Sequence, residues 1–234
     1  MSAIYKRELR SYFTTPIGYI FLSVFMLFSG ILFCYSTLFS MSGDISTYFT
    51  VMPILITVLL PLLTMKLFCE EKKQKTEQLL MTAPISIISM VTAKFLAAYT
   101  LYAGAVAVSS LSFIILYFYA QIQTATLIGS VFALLLVGGA FVAVGVFVSS
   151  ITESQLAAAV ITVAILAVMM FISLINSFID VYFIRFIFNS VAIYTRFRNF
   201  TQGVFDISAL FYYLSVCAVF LFLTVCVYDK RRWE

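Results

Sequence analysis

The chain has 234 residues, 63% of them hydrophobic and only 10% charged, with a mean hydropathy of +1.10 and a net charge of +4. A soluble domain carries about 25% charged residues, and its limited interior cannot hide this much apolar surface. Composition therefore excludes a water-soluble globule, and the small net charge gives no reason to expect a nucleic-acid partner.

Taken in chain order, the first segment is an arm. Ile4, Tyr5, Leu9, Tyr12 and Phe13 recur at helical spacing, with Lys6, Arg7 and Arg10 on the other side. That pattern predicts a basic amphipathic helix lying flat at the inner membrane surface. The alternative is a plain positive anchor. Thr14-Thr15-Pro16 then turns the chain, because the residue before a proline resists helix.

A helix that crosses the bilayer needs about 20 apolar residues. Six runs qualify, at about 17–39, 48–68, 95–119, 125–148, 156–178 and 207–228. The first is longer than the apolar core of about 7–15 residues in a signal peptide, so it is read as a retained span. Lys66 sits at one end of the second run, where it can snorkel, and Lys94 flanks the third. With the N-terminus inside, Lys6, Arg7, Arg10, Lys66, Lys72, Lys73, Lys75, Lys94, Lys230, Arg231 and Arg232 are cytoplasmic. Only Arg185, Arg196 and Arg198 lie outside. This bias places both termini in the cytoplasm.

The long inner connection, Cys69–Ala93, begins with a dense charged stretch, Glu70 to Lys75. Thr76 and Glu77 lead to an apolar patch of Leu79, Leu80 and Ala83, and Pro84 stops the helix. Such a helix suits docking into a groove on a soluble partner; the alternative is a solvated loop. In the fourth run, Gly139 and Ala143, and Gly145 and Ser149, are four apart. Small residues at that spacing let helices approach closely in lipid. The outer segment 179–206 carries Asp180, Arg185, Arg196, Arg198 and Asp206 among aromatics. It reads as re-entrant or interfacial short helices, forming either an external gate or a membrane-surface cap.

Histidine is absent, which removes the commonest general base and metal ligand. Cys34, Cys69, Cys217 and Cys226 form no CxxC and no metal spacing. There is no nucleotide-binding GxxxxGK[ST], and Lys75-Thr76 has no glycines before it. No catalytic residue and no metal site are expected. An intramembrane enzyme would need paired polar groups at mid-span, whereas Asn176, Asp180 and Lys66 lie near span ends. An ion channel or secondary transporter would carry intramembrane charges.

These segments together resemble the permeases of ABC-2 type transporters, and the permease subunit associated with gliding motility in particular. The resemblance is carried by Tyr5 through Phe13 to Pro16, by Glu70-Glu71 to Pro84, and by Gly145, Ser149, Ser150, Thr152, Glu153 and Gln155. Its last part is Phe200, Gly203 and Asp206, then Tyr212 to Ser215, Phe222 to Thr224 and Arg231-Arg232-Trp233. Tyr194 to Arg198 departs from the family by being basic. The resemblance implies one transmembrane domain over residues 1–234, all-α, with six spans, an interfacial N-terminal helix and an external segment between the last two spans. It implies a non-catalytic subunit of an exporter in a bacterial cytoplasmic membrane. A second permease chain, in a homodimer, and two copies of an ABC ATPase that bind ATP and Mg are the implied partners. A membrane subunit with an extracytoplasmic domain is a further one. Glu70, Glu71, Thr76, Glu77, Leu79, Leu80 and Pro84 would couple to the ATPase. The external segment, with Arg185, Arg196, Arg198, Phe200, Gly203 and Asp206, would close the outer side. The rival reading is a mechanotransmission or assembly subunit that moves no solute.

Overall fold

A computed structural model describes residues 1–39, 45–73, 86–119, 124–175, 193–201, 203 and 205–233. The described residues are nearly all helical and contain no strand. Six helical stretches are long and apolar enough to cross a membrane.

The arm forms α1 (Ser2–Thr14). Thr15 is extended, and Pro16 opens α2 (Pro16–Phe33) at a position where its missing N–H costs nothing. A π-helical turn, Cys34–Phe39, continues the first span. The second span is α3 (Ser46–Thr64), and after a turn at Met65 it runs on as α4 (Lys66–Lys73). The third combines α5 (Ile87–Ser110) and the short α6 (Ser112–Tyr119). Then come α7 (Thr124–Ile151), α8 (Gln155–Ile175), the short α9 (Ile193–Thr201) and α10 (Ile207–Trp233).

Two breaks have local causes. Pro61 offers no N–H within α3, and the helix ends one turn later. The Phe68 N–H donates to Ser149 Oγ at 3.1 Å in place of a carbonyl one turn back. The third span is interrupted by a turn at Leu111, just after Ser110 turns its hydroxyl back onto the Ala107 carbonyl at 2.7 Å.

The third span corrects the sequence reading. It was expected from residue 95, but α5 starts at Ile87, where the Ser86 hydroxyl accepts the Ser89 N–H at 3.3 Å. Lys94 therefore does not flank the span. It lies two turns inside α5 and is fully buried. The sixth span also runs on past residue 228, carrying Asp229, Lys230 and Arg231 on its last turns.

α7 is the central post and packs against α3, α4, α5, α8, α9 and α10. The tightest glycine approaches fall at Gly138 and Gly145, seven residues apart on one face, and Gly145 belongs to one of the pairs singled out above. The Tyr102 ring lies across Gly138, and its hydroxyl donates to the Leu134 carbonyl at 2.8 Å. Buried Thr64 fills the space over Gly145. A Cβ at Gly139 would meet the Tyr99 ring at 3.3 Å, a tight but lesser approach. Nearer the other end, Ser29 Oγ, Tyr48 OH and Ser109 Oγ form a triangle with sides of 2.5 to 2.8 Å that ties α2, α3 and α5 together. Each hydroxyl thereby finds a partner away from water.

A Cβ added at Gly145 would collide with Thr64, whereas one added at Gly30 in α2 meets nothing. Gly145→Ala is expected to destabilise by about 1–3 kcal/mol through overpacking. Gly30→Ala is expected to be neutral or to stabilise by up to about 1 kcal/mol. Thermal unfolding midpoints of the two variants in detergent test the contrast.

Candidate functional site

Polar chemistry concentrates where α1 meets α4 and α5. Along α1, Tyr5, Glu8 and Tyr12 share one face at helical spacing. That face lies against α5 and the α3–α4 junction. The Tyr5 hydroxyl donates to Thr100 Oγ1 at 3.3 Å and the Tyr12 hydroxyl to the Leu63 carbonyl at 3.0 Å. Burial, with the Glu8 carboxylate adding to it, pushes the Tyr12 phenol well above its ordinary range and keeps it a donor. Leu9 is half-buried. Phe13 is exposed and packs edge-on against Tyr19. Lys6 and Arg10 point to the exposed side.

Glu8 is delivered to Lys94. The Lys94 ammonium, with 1% of its side chain exposed, pairs with Glu71 Oε1 at 2.8 Å and Glu8 Oε1 at 3.3 Å. It also donates to the Leu67 carbonyl at 2.6 Å and lies 4.9 Å from the centre of the Phe68 ring. Arg7 closes the ring of charges from outside, reaching Glu8 at 2.6 Å and Glu71 at 2.8 Å. Burial alone would lower the Arg7 pKa, but the two carboxylates outweigh it and hold it above the ordinary value. Two cations thus face two carboxylates, a balance that a low-dielectric site requires.

Beside this ring, Lys66 pairs with Glu70 at 3.3 Å and donates to Ser11 Oγ and Thr15 Oγ1 at 3.3 and 3.2 Å. It does not snorkel to water as the sequence suggested; it fastens α4 to the end of the arm. The whole cluster lines a cavity of about 310 Å³.

The opposite side of α4 is held by α7. Ser149 Oγ accepts the Phe68 N–H and donates to the Met65 carbonyl at 3.3 Å. The Cys69 thiol sits against the carbonyls of Ser149 and Thr152 at 3.4 Å each. The Lys72 ammonium donates to the carbonyls of Ser150 and Thr152, which places a cation at the C-terminal end of α7. The structure thus joins two of the sequence motifs, Glu70-Glu71 and Ser149 to Thr152. Thr76, Glu77, Leu79, Leu80 and Pro84 lie outside the described residues.

The group expected to form the external segment resolves differently. Arg185 lies outside the described residues. α9 buries Ile193, Phe197 and Phe200, and it packs on α7 and α8. Gly203, at φ +79°, ends the helix by donating to the Phe200 carbonyl at 3.0 Å. Asp206 caps α10, accepting the Ser208 N–H at 2.9 Å and an Asn199 N–H at 3.1 Å. The Arg196 guanidinium lies 4.2 Å from the centre of the Tyr212 ring, while Arg198 is exposed. Arg196, Phe200, Gly203 and Asp206 are therefore brought together as the joint between α9 and α10.

Two contributors were given no part in the site from the sequence: Glu8, and Lys94, which was read as flanking a span; Ser149 was singled out for close helix packing. Glu8 left a signal, since a carboxylate on the apolar face of an amphipathic helix needs a buried cation. Among the described residues no cluster of acidic or cysteine side chains could hold a metal ion.

The fold and this site define a six-span helical membrane protein with its ionic contacts gathered at the end that carries both termini. The chain belongs to the ABC-2 family of transporters: the family model described as ABC-2 family transporter protein matches residues 2–233. It is therefore a membrane transport subunit of the kind that works with an ABC ATPase. A search of curated proteins returns no match.

Lys94→Met would leave Glu8 and Glu71 buried with only Arg7, and it is expected to cost about 3 kcal/mol. Arg7→Met removes a half-exposed partner and should cost about 0.5 kcal/mol. Asp206→Ala removes a helix cap and should cost about 1 kcal/mol. The order of thermal midpoints, Lys94→Met lowest and Arg7→Met nearest the parent, checks all three.

Proposed function

We propose that the chain is the permease subunit of an exporter driven by a separate ATPase, of the type associated with gliding motility. It supplies no catalytic group. ATP and Mg bind in two partner ATPase copies, and two permease chains pair as a homodimer. An accessory membrane subunit with an extracytoplasmic domain completes the complex. The chain lies in a bacterial cytoplasmic membrane with both termini inside, in keeping with the charge bias of its connections.

One observation carries the reading. The segment with the docking pattern, Thr76 to Pro84, follows the end of α4 at Lys73 after two residues, Gln74 and Lys75. Its root is gripped on both sides: Glu70 and Glu71 by Lys66, Arg7 and Lys94, and Cys69 and Lys72 by the end of α7. A displacement imposed on that segment by ATP-driven closure of the ATPases would pass as a rigid-body shift into α1, α5 and α7, not into a compliant loop. Leu79 and Leu80 are the apolar docking residues and Thr76, Glu77 and Pro84 shape the helix that presents them.

Replacing Leu79 and Leu80 together by Glu is expected to abolish ATPase co-purification and stimulated ATP hydrolysis. Membrane insertion and the thermal midpoint of the isolated chain should stay unchanged. Unaltered hydrolysis in the co-purified complex would remove this segment from the coupling role.

A further inference from the structure

A second polar feature stands apart from the ion-pair network. Where α4 ends, α8 begins and α10 leaves the bundle, a cleft of about 950 Å³ opens at the end that carries the termini. Lys72 and Lys73 of α4 and Arg231 of α10 line it, with Glu153, Ser154, Gln155 and Leu156. Among the described lining residues three cations face one carboxylate, which makes that lining electropositive. The Ser154 hydroxyl and the Gln155 amide add uncharged hydrogen-bonding groups. Lys72 is anchored at its wall by the Ser150 and Thr152 carbonyls.

Depth and surroundings decide what kind of anion fits. Arg231 is the last residue of one candidate span, and Leu156 is the second residue of another. The cleft therefore lies at the level where a span passes from hydrocarbon to headgroups. An apolar strip descends from it: Leu156 is 77% exposed and Val160, one turn deeper on α8, is 68% exposed. A basic seat above an exposed apolar strip matches an amphiphile with an anionic head and acyl chains. A soluble anion would have no use for the strip.

We infer that this cleft is a binding site for an anionic phospholipid, with the phosphate held by Lys73, Arg231 and Lys72 and a chain lying along α8. The bound headgroup bridges the root of the docking segment to the end of the last span. The site stands whether or not the permease couples to its ATPase through residues 76–84, because it uses none of them.

The test is native mass spectrometry of the full chain in mixed micelles containing dioleoyl phosphatidylglycerol and dioleoyl phosphatidylcholine, with and without inorganic phosphate. Preferential retention of phosphatidylglycerol is expected. Lys73→Gln and Arg231→Gln should each weaken it about fivefold, in line with one basic residue near a membrane surface, and Arg231→Lys should restore it. Lys73 is exposed, so Lys73→Gln carries the test if Arg231→Gln fails to fold. Equal retention of the two lipids, or a preference untouched by both variants, would overturn the proposal. So would displacement of phosphatidylglycerol by millimolar inorganic phosphate, which would reassign the cleft to a soluble anion.

Discussion

The buried charge of Lys94 constrains the end of this molecule that carries both termini. An ammonium two turns inside an apolar helix is tolerated only with carboxylates beside it and no water to replace them. One carboxylate, Glu8, arrives because the arm folds back along α5; the other, Glu71, arrives because the second span breaks at Met65 and continues as α4. The Leu67 carbonyl and the Phe68 ring, both on α4, complete the surroundings. The path of the arm, the break in the second span and the depth of α5 therefore answer to a single requirement. Arg7 stands at the rim of the ring and adjusts its balance, whereas Lys94 determines its place.

α7 supplies the rigid counterpart. Its small residues at 138 and 145 admit Tyr102 and Thr64, so two spans, α5 and α3, pack tightly against it. Its last turn offers hydroxyl and carbonyl oxygens, and α4 takes them up with a backbone N–H, a thiol and an ammonium. α4 is consequently held between an ionic face and a hydrogen-bonded face. In a transporter of this family, a short helix so placed suits the passing of force into the spans.

Much of this architecture was legible in the sequence. Apolar length gave the six spans, and Thr15-Pro16 marked the turn out of the arm. The start of the third span was not legible, because Ile87 to Lys94 mixes apolar and polar residues and a lysine reads as a boundary. Only the capping of Ser86 and the carboxylates from distant segments make Lys94 an interior residue, and neither shows in a hydropathy pattern. The role of Asp206 was hidden for a different reason. Charge in an outer segment suggested a gate or a membrane-surface cap, and neither reading told that Asp206 caps α10 beside the glycine turn at 203. Glu8 was overlooked among three basic neighbours although its spacing with Tyr5 and Tyr12 put it on the buried face.

The central claim is that the membrane chain is one half of a machine whose ATP chemistry lies in another subunit. The most direct measurement is purification of the tagged chain from its own membrane in mild detergent, with mass identification of whatever co-elutes. The account predicts stoichiometric recovery of an ATPase carrying a nucleotide-binding loop, with ATP hydrolysis in the complex. A chain that stays folded across several detergents and yields no such ATPase would contradict it.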